Sequence, residues 1–501
     1  MKKYNELSVY EDMYPDFFNK PIPPPIPRYT LDEVTLRDFY SNIAPKDVNL
    51  STKIGPVQMN FGLFSACMDS IGGPDICKVL MEIGACGIIY RHKKADIQLQ
   101  WLSEVLEHKP CLVQNPIALN PDDKIESAHE ILDEYGFSTI PIITDKNTLV
   151  GILFTRDVAF KENLDQPVKK FMKKFHDLRV AEVHTPFADI RNRLLNEPAC
   201  SVLPLVNGRH SLKGIYFRKD CRPANPSFHN EKPLVGMAIN ECEDIRRVEE
   251  ALTMGVGVII VDSSHGNCDN VIELSQKVVQ LVKKNNASAA VIAGNVASID
   301  GYNQLADIGV HAVKCGIGSG SICTTSLGTG VGVPMWSLVR ELAYMRQLRI
   351  QDKCENIPEI IPDGSINGTG TYVKMIAAGG HAGMAGEWLV AAQESLSAVE
   401  HHCKEGDPVP YRGMASKGAI DARSSLRYGH GKKAEEGVEG FVTCRGPLKS
   451  WIDKDKELIC GGFAHTGSYN IDKLHEAGNT PTAFSLITVA GQNQMTPRVR
   501  Q

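Results

Sequence analysis

Leu252-Thr-Met-Gly-Val-Gly-Val-Ile-Ile-Val-Asp262 runs from the last turn of an amphipathic segment, through a glycine, into an apolar run that ends on a carboxylate. Glycine just past a helix supplies the left-handed residue that stops it. A short Val/Ile-rich run after it reads as a strand buried on both faces. The same join recurs at Met81-Glu-Ile-Gly84 into Cys86 to Tyr90, Ala306-Asp-Ile-Gly309 into Val310 to Gly316, and Ile376-Ala-Ala-Gly379 into His381 to Gly386. Apolar runs at 233–239, 289–293 and 359–362 bring the strand candidates to seven. Between them, Val271, Leu274, Val278, Leu281 and Val282 share one helical face. Strands alternating with helices in this number predict an α/β fold, a (β/α)8 TIM barrel, with an open doubly wound sheet as the alternative. Polar residues gather just past the strands, at Asp262-Ser263-Ser264, Gly294-Asn295, Gly316 to Thr325 and Asp363-Gly364-Ser365. Both folds build their sites at that end.

A second repeat interrupts the first. Phe137-Ser-Thr-Ile-Pro-Ile-Ile143 and Leu149-Val-Gly-Ile-Leu-Phe-Thr-Arg-Asp157 align without a gap with Cys200-Ser-Val-Leu-Pro-Leu-Val206 and Leu212-Lys-Gly-Ile-Tyr-Phe-Arg-Lys-Asp220, 63 residues on. Such a tandem is a separate module. Each copy reads as strand, polar turn, strand and the first turn of a helix carrying Asp157 or Asp220. An aspartate there either caps the helix or meets a ligand, and both readings stand. The pair resembles tandem cystathionine-β-synthase (CBS) motifs. That resemblance implies a regulatory domain over 109–224 in which Thr155 and Asp157 hold the ribose of an adenine or guanine nucleotide. In the second copy Arg218 takes the threonine's place. Residues 1–108 and 225–501 are then the two parts of the barrel.

At 501 residues the chain exceeds the roughly 250 to 300 residues at which single cores stop growing, so more than one domain is expected. A net charge of −5 offers no basic excess for a nucleic acid. No apolar run is long enough to cross a bilayer and the opening Met-Lys-Lys-Tyr-Asn-Glu-Leu lacks a signal's apolar core, so a cytoplasmic location with no membrane partner is expected. The 14 cysteines contain no Cys-x-x-Cys pair and read as reduced thiols.

One cysteine stands apart. Lys-Cys-Gly-Ile-Gly-Ser-Gly-Ser-Ile-Cys-Thr-Thr (314–325) sets Cys323 in a polar loop whose glycines turn backbone amides toward a ligand. A glycine-rich loop alone is as well explained by a tight turn. A thiol held there, rather than in an apolar run, is a candidate nucleophile.

The Cys loop (314–328), Asp262-Ser-Ser before it, Asp363-Gly after it, the inserted pair, Tyr411-Arg-Gly-Met414, and Arg427-Tyr428 followed by Glu436-Gly-Val-Glu-Gly440 together resemble the inosine-5'-monophosphate (IMP) dehydrogenases, with GMP reductase as the close relative. Ser65-Ala-Cys-Met68 and Phe217-Arg-Lys-Asp220 are most similar to the trichomonad enzymes of that family. The resemblance implies that Cys323 attacks C2 of IMP, that hydride passes to NAD+, and that a flap over 413–438 brings in water to release xanthosine monophosphate (XMP). Arg427 with Tyr428 would activate that water, and Thr325 with Glu436 would form a relay. Ser321, Asp363, Gly364, Ser365, Gly386, Tyr411, Gly413, Met414 and Glu436 would hold IMP. Asp262, Ser263, Ser264, Asn295, Gly316 and Gly318 would face NAD+. The carbonyls of Gly318, Gly320 and Cys323 would ligate K+, and the chain would form a homotetramer.

Four positions depart from that pattern. Ser365 replaces a glycine, Ala66 stands where serine is common, and Glu387 follows Gly386 where a phosphate is expected. The C-terminal Val489-Ala-Gly-Gln-Asn lacks the Glu-Gly-Gly that completes the K+ site. The alternatives are GMP reductase, which shares the Cys loop and the relay but needs no Arg427-Tyr428 pair, and a nucleotide-sensing barrel that has lost turnover, which Glu387 and Ser365 favour.

Overall fold

A computed structural model describes residues 6–14, 26–92, 94–158, 164–198, 200–222, 225–240, 244–421, 435–488 and 491–492. The chain divides into two compact units, Met1–His108 with Pro226–Gln501, and Lys109–Asn225.

In the first unit six strands form one parallel sheet: β2 (Gly87–Ile89), β3 (Val235–Ile239), β4 (Val258–Asp262), β5 (Ala290–Val296), β6 (Ala312–Cys315) and β7 (Glu359–Pro362), neighbours in that order. Two more, β1 (Leu63–Ser65) and β8 (Gly383–Ala385), pair in parallel with each other. Parallel bridges from Phe64 to Cys86 and from Asp363 to Met384 link this pair to both edges of the six.

Helices α1 (Pro74–Glu82), α2 (Ala95–Leu106), α3 (Ile245–Met254), α4 (Asp269–Lys284), α5 (Ile299–Asp307), α6 (Met335–Gln351) and α7 (Thr369–Ala377) separate the strands. All four glycine joins end a helix as expected, and Gly255 shows why. It takes φ +97° at the end of α3 and its N–H reaches back to the carbonyls of Ala251 and Leu252. In α4 the five apolar residues of the predicted face are all buried. The strands are buried on both faces because helices cover one side and the core the other; β3, β4 and β5 have every residue buried. Seven of the eight strands answer the sequence candidates. The eighth, β1, is three residues long, too short for a periodic signal.

The second unit repeats itself in three dimensions. Thr139–Ile143 pairs antiparallel with Leu149–Phe154, and Val202–Val206 with Leu212–Phe217. Both hairpins slip register at the equivalent place, between Ile142 and Ile143 and between Leu205 and Val206. A helix precedes each, Ile125–Tyr135 and Phe187–Asn196.

Candidate active site

The C-terminal ends of β4, β5, β6 and β7 lie side by side, and sequence places a chargeable or polar residue at each. Asp262, Gly294 and Lys314 fall in one row across β4, β5 and β6. A side chain on the middle residue is impossible, because a Cβ on Gly294 would sit 2.1 Å from the Lys314 carbonyl oxygen. Lys314 is fully buried, and its ammonium lies 2.7 Å from Asp262 Oδ1 and 2.6 Å from Asp363 Oδ2 while donating to Asn295 Oδ1. Asn295 Nδ2 donates to Asp363 Oδ2 at 3.0 Å and to the Gly316 carbonyl at 2.7 Å. A lysine buried without partners would lose several kcal/mol of hydration; here hydrogen bonds to Asn295 and Asp363 and the ion pair with Asp262 offset that loss. One cation against two carboxylates leaves the cluster with a net charge of about −1. In the sequence Lys314 reads as one polar residue within an apolar run, with no mark of a site residue.

Cys323 lies at one end of a hydrogen-bonded line. Its Sγ donates to Thr325 Oγ1 at 3.3 Å, and that hydroxyl donates to Glu436 Oε2 at 3.0 Å. Glu436 comes from 111 residues away and is delivered by backbone pairing: Thr324 N–H to the Glu436 carbonyl at 3.2 Å and Val438 N–H to the Ile322 carbonyl at 3.0 Å. Cys323 is half-buried, whereas burial pushes the thiols of Cys77, Cys86 and Cys315 up, which keeps them protonated and inert. One cavity is lined by Ser264, Asn295, Gly316, Gly318, Gly320, Cys323, Thr325, Asp363, Gly364, Gly413, Met414 and Glu436. Met68, Ile317, Ser319 and Ile322 join them without having been assigned roles.

Around this cavity the remaining expected residues take distinct places. Ser321 hydrogen-bonds the Tyr411 hydroxyl; burial pushes that phenol up despite the bond. Gly386 faces the same hydroxyl so closely that a Cβ would lie 2.7 Å from it. Glu387 starts a four-residue helix, and its charge acts on Tyr411 together with that of Asp363, so it stays within the field of the site. Ser365 keeps a left-handed φ of +58°, the conformation a glycine would hold, and its hydroxyl donates to the Ser319 carbonyl at 2.7 Å. It thus ties the loop after β7 to the Cys loop. The Ser263 hydroxyl is turned to the His265 carbonyl at 3.4 Å. Arg427, Tyr428, Val489 and Ala490 lie outside the described residues.

In the second unit Thr155 is buried and its hydroxyl donates to the Ser138 carbonyl at 3.4 Å, while Asp157 is half exposed beside Arg156. Neither lines a cavity of about 580 Å3 in that unit, which is bounded by their neighbours Phe154 and Arg156 and by Phe217, Lys219, Asp220 and Arg222.

Fold and site together define a parallel α/β protein with a relay-linked cysteine at its strand ends. The family model described as IMP dehydrogenase / GMP reductase domain matches residues 28–498. The inosine-5'-monophosphate dehydrogenase of Halalkalibacterium halodurans is 32% identical over 479 residues, covering 93% of this chain and 95% of its own. That of Aquifex aeolicus is 33% identical over 478 residues, covering 93% and 94%. Among solved structures, a GMP reductase variant from Trypanosoma brucei in complex with guanosine 5'-monophosphate superposes with a TM-score of 0.67 at 23% identity, over 95% of this chain and 99% of that one. The chain belongs to the IMP dehydrogenase / GMP reductase family.

Proposed function

We propose that the chain is an NAD-dependent IMP dehydrogenase, oxidising IMP to XMP in guanine nucleotide synthesis. The observation that carries this reading is the line Cys323–Thr325–Glu436, which gives the thiol a hydroxyl and a carboxylate through which to lose its proton. Cys323 Sγ bonds C2 of the base, and its proton passes through Thr325 to Glu436. Hydride leaves C2, so the purine loses two electrons while the carbon–sulfur bond remains. NAD+ supplies the hydride acceptor when bound, and the negative cluster of Asp262, Lys314 and Asp363 suits its cationic ring. Water then adds to C2, Arg427 with Tyr428 taking its proton, and the thiol leaves to release XMP. Asp363 orients the ribose, and Ser321, Gly364, Ser365, Gly386, Tyr411, Gly413 and Met414 surround the nucleotide.

Eight parallel strands, with the β1–β8 pair bridged to both edges of the six-stranded sheet, support a closed (β/α)8 barrel over an open doubly wound sheet. The repeated hairpins support an inserted CBS pair over 109–224, its cavity taking a purine nucleotide. Gly318, Gly320 and Cys323 would offer carbonyls to K+. One lone pair of the Gly320 carbonyl is already used by the Cys323 N–H at 3.0 Å, so further oxygens must come from elsewhere, such as a neighbouring subunit of a tetramer. No helix among the described residues is long and apolar enough to cross a membrane, in keeping with a cytoplasmic enzyme.

The second reading, GMP reductase, is favoured by the same relay, which that reaction shares. The test is spectrophotometric. NADH formation from IMP and NAD+, abolished in Cys323→Ala, is expected; NADPH consumption with GMP instead would establish the reductase. Silence in both assays would leave the barrel as a nucleotide sensor.

A further inference from the structure

The hairpin β9 (Pro408–Arg412) and β10 (Glu439–Thr443) continues beyond its last paired residues, Arg412 and Glu439. Gly413 N–H donates to the Val438 carbonyl at 3.1 Å, and at that point the Cys loop joins as a third segment. Val438 N–H donates to the Ile322 carbonyl at 3.0 Å, and Cys323 forms an antiparallel bridge with Gly437. Three backbones therefore converge where two glycines face each other. A Cβ on Gly413 would lie 3.1 Å from Gly437 Cα and 3.2 Å from the Ile322 carbonyl oxygen. A Cβ on Gly437 would lie 3.2 Å from Gly413 Cα, 3.3 Å from Ser416 N and 3.4 Å from the same Ile322 oxygen. Every neighbour is backbone, so no flexible side chain can yield.

We propose that Gly413 and Gly437 form a side-chain-free clasp that positions Cys323 against its proton acceptor. Ile322 precedes the nucleophile and Gly437 follows Glu436, so the closeness of these backbones sets the spacing of the relay. A methyl group at either glycine forces the segments apart by a few tenths of an ångström, and the Thr325–Glu436 hydrogen bond, the one link of the relay that spans them, lengthens. Gly413 and Gly437 are positioning residues: neither needs to touch the reacting atoms for the thiol's reactivity to depend on them. The clasp deepens the dehydrogenase reading but stands on geometry that does not require it.

The test separates the two. Alkylation of Cys323 by iodoacetamide, followed by peptide mass mapping on the full-length protein, reports the thiol directly, whatever the protein catalyses. Gly437→Ala and, independently, Gly413→Ala are expected to slow Cys323 alkylation about tenfold, as a misplacement of well under 1 Å at a reacting group implies. Gly440→Ala makes the same chemical change on the same strand in open space, with nothing within 4 Å, and is expected to match the parent. In the dehydrogenase assay Gly437→Ala should lower the NADH burst rate while the KM for IMP stays within about threefold. Parent-like alkylation in both clasp variants overturns the proposal, as does an equal slowing in Gly440→Ala. Slowed alkylation in a protein that oxidises no IMP upholds the clasp and sinks the dehydrogenase reading alone.

Discussion

Lys314 is a fully buried cation held by three site residues, Asp262, Asn295 and Asp363, which makes it the residue with most to lose by substitution. Lys314→Met keeps most of the length of the side chain and removes the charge, leaving the buried Asp262 and the half-buried Asp363 without their shared cation. Breaking a buried pair in this way costs about 3 to 5 kcal/mol. Urea unfolding of the variant should show a loss of that order, and IMP oxidation should fall about a hundredfold as both carboxylates shift. A variant as stable and active as its parent would remove Lys314 from the site. The cluster also shows where sequence reading stops. Asp262, Asn295 and Asp363 are legible because each comes where an apolar run of sequence ends, where a polar residue needs a reason. Lys314 lies inside its strand, and its reason is supplied by residues 52 positions before and 49 after it, which only the parallel register brings together. Ser365 is a similar case. Its left-handed backbone is what a glycine would give, but the bond to Ser319 depends on where the Cys loop runs.

At the scale of elements, the glycine joins located helix ends and strand starts because a left-handed stop is a local requirement. Contacts between helices carry no such mark. Glu82, at the end of α1, is buried against His108 just beyond α2 and against Lys449. Burial alone would raise its carboxyl, but hydrogen bonds with His108 and Lys449 and their charges outweigh it and hold the group at about 2, against an ordinary 4.5. A carboxyl depressed in the folded state stabilises the fold fully above its ordinary value and loses that contribution as the pH falls toward 2. The shift corresponds to about 3 kcal/mol. Stability measured against pH should therefore show the parent ahead of Glu82→Gln by about that amount near neutrality, with the gap closing between pH 4.5 and 2. A gap that stays constant through that window would place the stabilisation in packing instead.

The same helix end decides what the whole molecule tolerates. The first unit is assembled from two stretches of chain that break off at His108 and resume at Pro226. Both ends are fixed to α1: His108 by the 2.7 Å contact of its Nε2 with Glu82 Oε1, and Ser227 by its N–H on the Met81 carbonyl at 2.9 Å. Ser227 is held again by its hydroxyl, which donates to the Gly84 carbonyl at 2.7 Å. The ends of the gap are thus anchored to consecutive residues of one helix, close enough for a short flexible linker to span. Every residue of the Cys323 relay and of the Lys314 cluster lies in the first unit. Replacing 109–225 by a few Gly and Ser residues should leave a folded first unit that oxidises IMP within a few-fold of the parent rate. Long surface insertions cost little to close, so their removal disturbs little. Any response of the rate to added ATP or GTP should disappear with the module. A linker variant that folds, by its cooperative unfolding, yet oxidises no IMP would show that the module takes part in building the site, and inhibition by GTP that persists in the variant would place that effect in the first unit.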